Sequence, residues 1–339
     1  MTWRRPDTAP FRLAGFPWYE QERLFRRLPV VEPGRLPEGV DNLANQTAGG
    51  QVAFRSDSTS VAVKVELLGP ADMDHMPPTG QCGFDLYIGE PGEQRFCNVV
   101  RYDKNLAEYE AVLFEHPDTE KRSFTLNFPL YQGVKRLEIR LAQDAAVEAP
   151  APWSADGSVV IYGTSITQGG CASRPGMAYT NILSRAMNVE FVNLGFSGNG
   201  TGGAEVIEVV AAVPNPRLFV LDYEANAGWH ENMGKTLPEA VRIIRLQHPE
   251  VPILVVSRIA YAMDLTHADQ LAEREACRDM QAHLVADHRA QGDTRIHFLD
   301  GSSFLGEDFD ECTVDGVHPN DLGFMRMARA LEPVLRELI

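Results

Sequence analysis

The chain has 339 residues, of which 44% are hydrophobic and 23% are charged. This balance is typical of a folded globular protein, and the length suits two domains better than one. Asp and Glu outnumber Lys and Arg by 47 to 31, which gives a formal net charge of −16. Nucleic acids and anionic membranes attract cationic surfaces, so we expect neither to be a partner of this chain.

Features that report on cellular location are few. No apolar run approaches the roughly 18 residues that a membrane-spanning helix needs. The first twenty residues contain Arg4 and Arg5 but no continuous apolar segment, so we expect no secretory signal peptide. The five cysteines form no Cys-x-x-Cys pair and fit free thiols in a reducing compartment. These observations predict a cytoplasmic protein, and they leave open whether it forms a homo-oligomer.

The first half of the chain, residues 1–150, is predicted to form an antiparallel β-sandwich or jelly roll. Short segments of alternating polar and apolar residues follow one another and are separated by Gly, Pro and Asp. These segments are 51–56, 59–67, 84–88, 95–101, 123–128 and 134–141. The segment 143–153, rich in alanine and interrupted by prolines, predicts a linker.

The second half, residues 151–339, is predicted to form a doubly wound α/β domain. Short apolar strands rich in β-branched residues are expected at 158–162, 190–194, 218–222, 253–257 and 295–299. Helical segments are expected between and after them, at 178–187, 204–213, 237–247, 268–289 and 322–338. This alternation predicts a flavodoxin-like, five-stranded parallel sheet. Such sheets bind their ligands at the carboxyl ends of the strands.

Ser165 follows the first of these strands in the segment Gly163-Thr164-Ser165. A serine at a strand exit presents an exposed hydroxyl, and its backbone N–H faces the same site if a helix begins there. One residue then supplies both a nucleophile and an oxyanion donor. The alternative is an ordinary helix N-cap or turn, which the same residues also favour.

Asp315 and His318 lie three residues apart before the last predicted helix. A loop at this position brings both side chains to one side, so that the carboxylate orients an imidazole acting as general base. The alternative is a capping aspartate and a solvent-exposed histidine.

Two further loops follow the second and third predicted strands. Gly198 lies in the glycine-rich loop 195–203, where a backbone N–H has room to face a developing oxyanion. Phosphate binding is the rival interpretation of this loop, but the sequence lacks the nucleotide-binding glycine motifs. Asn226 follows the third strand and is either an amide donor at the same sheet edge or a turn residue.

Together these four segments resemble the SGNH hydrolase superfamily, also called GDSL-type esterases. The first family block appears at 163–166, with threonine in place of the usual Asp. The second block corresponds to 195–198, the third keeps only Asn226, and the last, Asp-x-x-His, is intact at 315–318. The resemblance covers residues 157–339.

The resemblance implies a role for each residue. Ser165 would be the nucleophile, His318 the base and Asp315 its orienting carboxylate. The oxyanion hole would consist of the Ser165 N–H, the Gly198 N–H and the Asn226 side chain. The family needs no metal or organic cofactor, and the nine histidines show no metal-ligand spacing.

The first half carries a second resemblance. The segment 83–87, Gly-Phe-Asp-Leu-Tyr, is similar to the GxDLY signature of a β-sandwich domain that precedes some SGNH hydrolases. Residues 25–29 and 127–134 resemble the same family. Related esterases deacetylate carbohydrates, so the resemblance implies a small-molecule ester, an acetylated saccharide or glycoside, as substrate. The alternatives are a lipid or lysophospholipid ester, and a carbohydrate-binding protein whose hydrolase half is vestigial.

Four more residues are predicted to line the substrate pocket. His75 lies in the loop 72–78, which is long enough to reach across domains, and Tyr223, Trp229 and His230 flank Asn226. Ordinary packing or surface roles are the alternative for each. Cys171 and Cys312 fall near the serine and histidine blocks and are interpreted as space-filling residues without a histidine partner.

Overall fold

The computed structural model describes residues 2–228 and 230–339, and within these ranges the chain forms two antiparallel sheets and one parallel sheet. The strands are β1 Thr2–Arg4, β2 Arg12–Ala14, β3 Gln51–Ser56, β4 Ser60–Leu67, β5 Asp85–Ile88, β6 Arg95–Val99, β7 Glu108–Glu115, β8 Arg122–Asn127, β9 Val134–Leu141, β10 Val147–Glu148, β11 Ser158–Gly163, β12 Glu190–Gly195, β13 Pro216–Asp222, β14 Ile253–Val256 and β15 Ile296–Leu299. The α-helices are α1 Tyr19–Glu22, α2 Glu38–Leu43, α3 Pro78–Gln81, α4 Ser165–Gln168, α5 Tyr179–Met187, α6 Ala204–Ala211, α7 Glu224–Ala227, α8 His230–Gln247, α9 Ala268–Ala290 and α10 Asp321–Leu338. None of the helices in the described ranges combines the length and the apolar character that crossing a membrane requires.

The two antiparallel sheets share one apolar core in the first half of the chain. One sheet has the strand order β1-β9-β4-β7, and the other has β10-β3-β8-β5-β6 with β2 beside β3. Along β4, Val61, Val63, Val65 and Leu67 are buried in this core, because alternate residues of a strand point to the same face. The antiparallel sheets expected from the sequence are confirmed, while the jelly-roll topology stays a prediction.

Four strands of this region were not expected from the sequence: β1, β2, β7 and β10. The sequence analysis missed β7, an edge strand in which Tyr109 and Leu113 are buried while the residues between them are exposed or half-buried. The segment expected to be a linker contains β10, whose Val147 pairs with Ser56 of β3. Strands β1, β2 and β10 have three residues or fewer, and most residues of the longer β7 are exposed or half-buried, so none of the four shows a clear alternating pattern.

The parallel sheet has the order β12-β11-β13-β14-β15, and all its neighbouring strands are parallel. Helices α6, α8 and α9 contribute buried side chains to the core on one face, and α5 and α10 to the core on the other. This is the flavodoxin-like strand order, with helices covering both faces. The predicted doubly wound sheet of five strands is therefore confirmed.

Helix α8 begins at His230, a full seven residues before the predicted start at 237. Pro238 lies inside the observed helix, beyond its first turn, whereas proline favours the first turn. In the structure the helix continues upstream because Met233, one turn before Leu237, is also completely buried against the sheet. Tertiary packing thus extends the helix beyond its local signals.

The segment that precedes β3 packs on the α/β half of the chain. Leu28, Leu36, Val40 and Ala44, which lie in and around α2, are buried in the same core as α6 and α8. Burying apolar surface in this way stabilises the contact between the two halves. The early part of the chain therefore completes one face of the parallel sheet, which the sequence analysis did not predict.

Candidate active site

Ser165 is the first residue of α4, directly after β11. Thr164 caps the helix: its hydroxyl accepts a hydrogen bond from the Ile166 N–H at 3.2 Å, and the Thr167 hydroxyl accepts one from the Thr164 N–H at 3.3 Å. This reciprocal capping holds the serine turn without the aspartate of the family motif. No larger residue fits in place of Gly163, because a Cβ there would lie 1.9 Å from the Thr167 hydroxyl oxygen.

Ser165, His318 and Asp315 form a continuous hydrogen-bonded chain. The Ser165 Oγ lies 2.9 Å from the His318 Nε2, and the His318 Nδ1 lies 2.7 Å from the Asp315 Oδ2. Because an ionised carboxylate only accepts hydrogen bonds, the Nδ1 carries the proton and the Nε2 is free to accept from the serine. The three residues expected to act together are thus brought together.

The loop around Asp315 is held by its own backbone. The Asp315 Oδ1 accepts hydrogen bonds from the N–H groups of Val317 at 3.0 Å and His318 at 2.8 Å. Partial burial opposes ionisation of Asp315, but these bonds and the one from the imidazole outweigh it and lower its pKa. Gly316 permits the turn, since its φ is +86°. The carboxylate is therefore kept charged and aimed at the imidazole.

The three expected oxyanion donors follow three adjacent strands. Gly163 at the end of β11 pairs with Gly195 of β12 and Asp222 of β13, so the strands that lead to Ser165, Gly198 and Asn226 end level with one another. Polar groups that directly follow the carboxyl ends of neighbouring parallel strands lie at the same edge of the sheet.

These donors are uncommitted in the described part of the chain. No acceptor there takes a hydrogen bond from the Ser165 or Gly198 N–H, or from the Asn226 side chain, whose Oδ1 is buried and unpaired. Gly198 has a φ of +67°, which other residues rarely adopt. In the same loop the Ser197 N–H donates to the Gln168 Oε1 at 3.1 Å, which ties the loop to α4.

Residues from the first half of the chain reach the loops that carry Ser165 and His318. The Tyr131 hydroxyl donates to the Ser165 backbone carbonyl at 3.1 Å, and the Gln168 side chain donates to the Leu130 carbonyl at 3.1 Å. The His75 ring lies against the His318 ring, with 5.8 Å between the ring centroids. His75 thus lies beside the loop that carries His318, and its role in a substrate pocket stays a prediction.

The prediction for Tyr223 is wrong. Its side chain is completely buried in the core of the parallel sheet, and its hydroxyl lies 3.2 Å from the Thr236 hydroxyl. The residue packs against Tyr162, at 5.4 Å between centroids, on the face covered by α6 and α8. It serves packing because the strand end points it inward rather than towards the open edge of the sheet.

Of the other two predicted pocket residues, the structure describes His230 but not Trp229. The His230 Nδ1 lies 2.8 Å from the Glu273 carboxylate of α9, and no described contact links the ring to Ser165. Glu273 borders a cavity of about 260 Å³ that Ala225 and Gly228 also line. A pocket role for His230 stays a prediction, and Trp229 lies outside the described residues.

Cys171 has histidine neighbours that the sequence analysis did not anticipate. One donor atom each from Cys171, His75, Asp315 and His318 lies within 4.8 Å of the others. Burial, with a smaller effect from the charge of Asp315, raises the pKa of the Cys171 thiol to about 12. Its φ of +73° is unusual for a residue other than glycine. Cys312 is completely buried, as expected of a space-filling residue.

Asp222 lies behind the serine turn and was missed by the sequence analysis. Its Oδ2 accepts hydrogen bonds from the Tyr179 hydroxyl at 2.7 Å and the Thr167 hydroxyl at 3.2 Å. The residue retains a small exposed surface, but burial of its carboxyl raises the pKa to about 7. The signal in the sequence was an acidic residue directly after the apolar run 218–221 of β13.

Arg27 is a second residue that the sequence analysis missed. Its buried guanidinium donates to the backbone carbonyls of Asn193 at 3.1 Å, Gly195 at 2.6 Å, Gln46 at 2.7 Å and Leu43 at 2.8 Å. Burial lowers its pKa to about 9. The carbonyls of Asn193 and Gly195 belong to the end of β12, so Arg27 fixes the strand that leads into the Gly198 loop.

The two halves of the chain match sequence models of known protein families. The sequence model of the GDSL-like Lipase/Acylhydrolase family matches residues 156–336. The GxDLY model, which describes the N-terminus of SGNH-hydrolase-type esterases, matches residues 1–147. No curated protein sequence matches the chain.

Several solved structures are similar over the whole chain. A GDSL-like lipase from Bacteroides ovatus is 31% identical, with a TM-score of 0.90 over 99% of this chain and 97% of that one. A salicylyl-acyltransferase from a tetracycline biosynthetic pathway is 22% identical, with a TM-score of 0.77 over 99% and 97%. A family two carbohydrate esterase from Clostridium thermocellum is 13% identical, with a TM-score of 0.64 over 97% and 98%. The last two structures show a shared fold. The match of the family model to residues 156–336, together with the 31% identity to the Bacteroides ovatus lipase, shows that this chain belongs to the GDSL-like lipase/acylhydrolase family of ester hydrolases.

Proposed function

We propose that the protein is a serine esterase that removes small acyl groups, chiefly acetyl, from a carbohydrate or glycoside. The observation that carries the proposal is the hydrogen-bonded chain from the Ser165 Oγ through His318 to Asp315, with distances of 2.9 and 2.7 Å. A nucleophile, a base and an orienting carboxylate in this arrangement are the parts that acyl transfer to a serine needs.

The reaction begins when His318 takes the proton of the Ser165 hydroxyl as its Oγ attacks the ester carbonyl. The oxyanion that develops accepts hydrogen bonds from the N–H groups of Ser165 and Gly198 and from the Asn226 amide. His318 then protonates the departing alcohol, and an acyl-serine remains. Water attacks this intermediate with the same base, which releases the acid and restores the serine. Asp315 stays ionised throughout and stabilises the imidazolium.

The choice of substrate class rests on two kinds of support. The fold is shared with a carbohydrate esterase over nearly the full length of both chains, although at 13% identity. In addition, the exposed His75 ring from the first half of the chain lies beside the His318 ring, so a polar side chain borders the site. A polar border suits a hydroxyl-rich leaving group better than a long acyl chain.

The test of the reaction is hydrolysis of p-nitrophenyl acetate by the wild type and by Ser165→Ala. We expect the variant to lose at least about 10³-fold in kcat, because the nucleophile is absent. Ser303→Ala is the matched control, since Ser303 is exposed on a turn and has no described hydrogen bond to Ser165, His318 or Asp315. Full activity of Ser165→Ala would contradict the proposed nucleophile.

The test of the substrate class compares p-nitrophenyl acetate, butyrate and octanoate, and then acetylated xylose, acetylated glucose and a lysophospholipid. We expect kcat/KM to be highest for acetate and the acetylated sugars. A maximum at octanoate or with the lysophospholipid would favour the lipid esterase. Sugar binding by titration calorimetry without turnover of any ester would favour the vestigial hydrolase.

A further inference from the structure

Four potential metal ligands from three separate parts of the chain meet beside the proposed nucleophile. Asp315 and His318 come from the loop before α10, Cys171 follows α4, and His75 comes from the loop before α3. One donor atom from each lies within 4.8 Å of the other three. Sequence separations this large mean that the cluster is created by the tertiary structure and depends on both halves of the chain.

We propose that these four side chains bind a thiophilic divalent cation, Zn²⁺ or an ion of the same class, and that the bound ion reversibly blocks the esterase. Two imidazoles, a thiolate and a carboxylate are ligands that Zn²⁺ prefers, whereas Mg²⁺ and Ca²⁺ prefer oxygen ligands alone. The blocking effect rests on the proposed function, but the binding itself does not.

The geometry requires only a small contraction. Zinc bonds of about 2.0–2.3 Å in a tetrahedron place the ligand atoms about 3.3–3.8 Å apart, so the observed limit of 4.8 Å shortens by roughly 1 Å. His75 is the ligand best able to move, because its side chain is 38% exposed and its described hydrogen bond joins it only to the neighbouring Asp74. The other three ligands are more constrained, because Cys171 is buried and Asp315 is hydrogen-bonded to both the backbone and the ring of His318.

The charges balance when the ion binds. The Cys171 thiol releases its proton to solvent, so that one thiolate and the Asp315 carboxylate neutralise the two charges of the cation, while both imidazoles bind in their neutral form. No bond of the protein backbone or of a substrate is broken. Chelation of the ion by a stronger ligand reverses the step and returns the proton to the thiol.

Inhibition follows from the position of His318. Its Nε2 lies 2.9 Å from the Ser165 Oγ and its Nδ1 lies 2.7 Å from Asp315. An ion on the Nε2 removes the acceptor of the serine proton, and an ion on the Nδ1 separates the imidazole from its orienting carboxylate. Either mode of binding stops His318 from acting as a base.

The binding experiment titrates the metal-free protein with Zn²⁺ in competition with a chromophoric chelator. We expect one ion per chain, and Kd values at least about 10-fold higher for Cys171→Ser and for His75→Gln, because each loses one of four ligands. Cys97→Ser and His116→Gln are the matched controls, since neither residue belongs to the cluster. Mg²⁺ is expected not to compete. Equal Kd values for the wild type and both ligand variants would overturn the inference.

The activity experiment measures hydrolysis of p-nitrophenyl acetate with added Zn²⁺ and then with EDTA, relative to the metal-free rate of each variant. We expect inhibition of the wild type that EDTA reverses, and a concentration for half inhibition at least about 10-fold higher in the two ligand variants. Thermal unfolding checks that each variant is folded. If Cys171→Ser does not fold, His75→Gln provides the test, because His75 is exposed.

The two experiments separate this inference from the proposed function. Tight binding by a chain without esterase activity leaves the metal site standing and removes the proposed function. Esterase activity that is insensitive to Zn²⁺, in a chain with no Zn²⁺ affinity, leaves the function standing and overturns the metal site.

Discussion

At the scale of single residues, the serine turn shows how one substitution in a family motif is accommodated. Thr164 occupies the place of the usual aspartate and caps α4 through the Ile166 N–H. Behind it, Thr167 and Tyr179 both donate to Asp222. The turn is thus held by neutral hydroxyl groups around one buried carboxyl, and the serine hydroxyl stays free to bind His318.

Asp315→Asn tests the role of the carboxylate. An asparagine side chain that donates to the Nδ1 forces the proton of His318 onto the Nε2, which then no longer accepts from Ser165. We expect kcat to fall by about 10⁴ with little change in thermal stability. Steady-state kinetics measure the effect, with Asp310→Asn, an exposed residue of the same loop, as the control. A fall of less than tenfold would show that Asp315 does not orient the base.

Asp222→Asn tests the buried carboxyl. Its pKa of about 7 in the folded protein lies above the usual value near 3.8, so the folded state binds this proton more tightly than the unfolded state. The contribution of Asp222 to stability is therefore present at low pH and is lost as the pH rises towards 7.

The measurement is the Tm of the wild type and of Asp222→Asn at several pH values between 4 and 8. Since asparagine does not ionise, we expect the Tm of the variant to rise relative to that of the wild type as the pH increases. A difference in Tm that is constant across the range would show that Asp222 does not titrate there.

At the scale of elements, β12 and the loop after it depend on a residue far away in sequence. Arg27 binds the carbonyls of Asn193 and Gly195, and the Ser197 N–H binds Gln168 of α4. The strand that leads into the Gly198 loop is therefore fixed by Arg27 of the first half of the chain, and the loop itself is fixed by α4, the helix that carries Ser165.

Arg27→Lys tests this support. A lysine ammonium cannot reach four carbonyls in separate directions as the planar guanidinium does, so buried acceptors lose their partners. We expect the free energy of unfolding to fall by about 2–4 kcal/mol, and kcat to fall more than KM rises. Urea unfolding and steady-state kinetics measure both effects, and exposed Arg329→Lys is the control. An unchanged unfolding free energy would contradict the structural role.

Most elements could be predicted because their signals are local. The strand pattern from 51 to 56 and from 134 to 141 and the apolar runs of the parallel sheet matched the observed bounds closely. The start of α8 could not be predicted, because burial of Met233 depends on the sheet beneath it. Strands β1, β2 and β10 were missed for a related reason: each is short and is defined by its partner strand.

At the scale of the whole molecule, the two halves are joined through the candidate active site and the core. Leu28 and Val40 are buried on the parallel sheet, and Tyr131 binds the Ser165 backbone. The division of the chain into domains 1–150 and 151–339 stays a prediction. The contacts across this boundary indicate that neither part buries its apolar surface completely without the other.

Separate production of the fragment 151–339 tests this dependence. Without the residues around α2 the fragment exposes one face of its core, which favours aggregation or partial unfolding. We expect a lower Tm than that of the full chain, no measurable esterase activity, and dye binding to exposed apolar surface. A monomeric fragment with the Tm and kcat of the full chain would show that the first half is dispensable.

The sequence by itself determined the class of both halves and the alternation of strands and helices in the second. Through its resemblance to the SGNH hydrolases it also singled out Ser165, His318 and Asp315 as a set. These follow from local patterns and from motifs whose residues lie close together in sequence. Only the tertiary structure decided that Tyr223 is a core residue, that Arg27 and Asp222 support the site, and that His75 and Cys171 stand beside His318. The physical reason is that burial and long-range contacts are set by which surfaces pack together, and no local pattern records them.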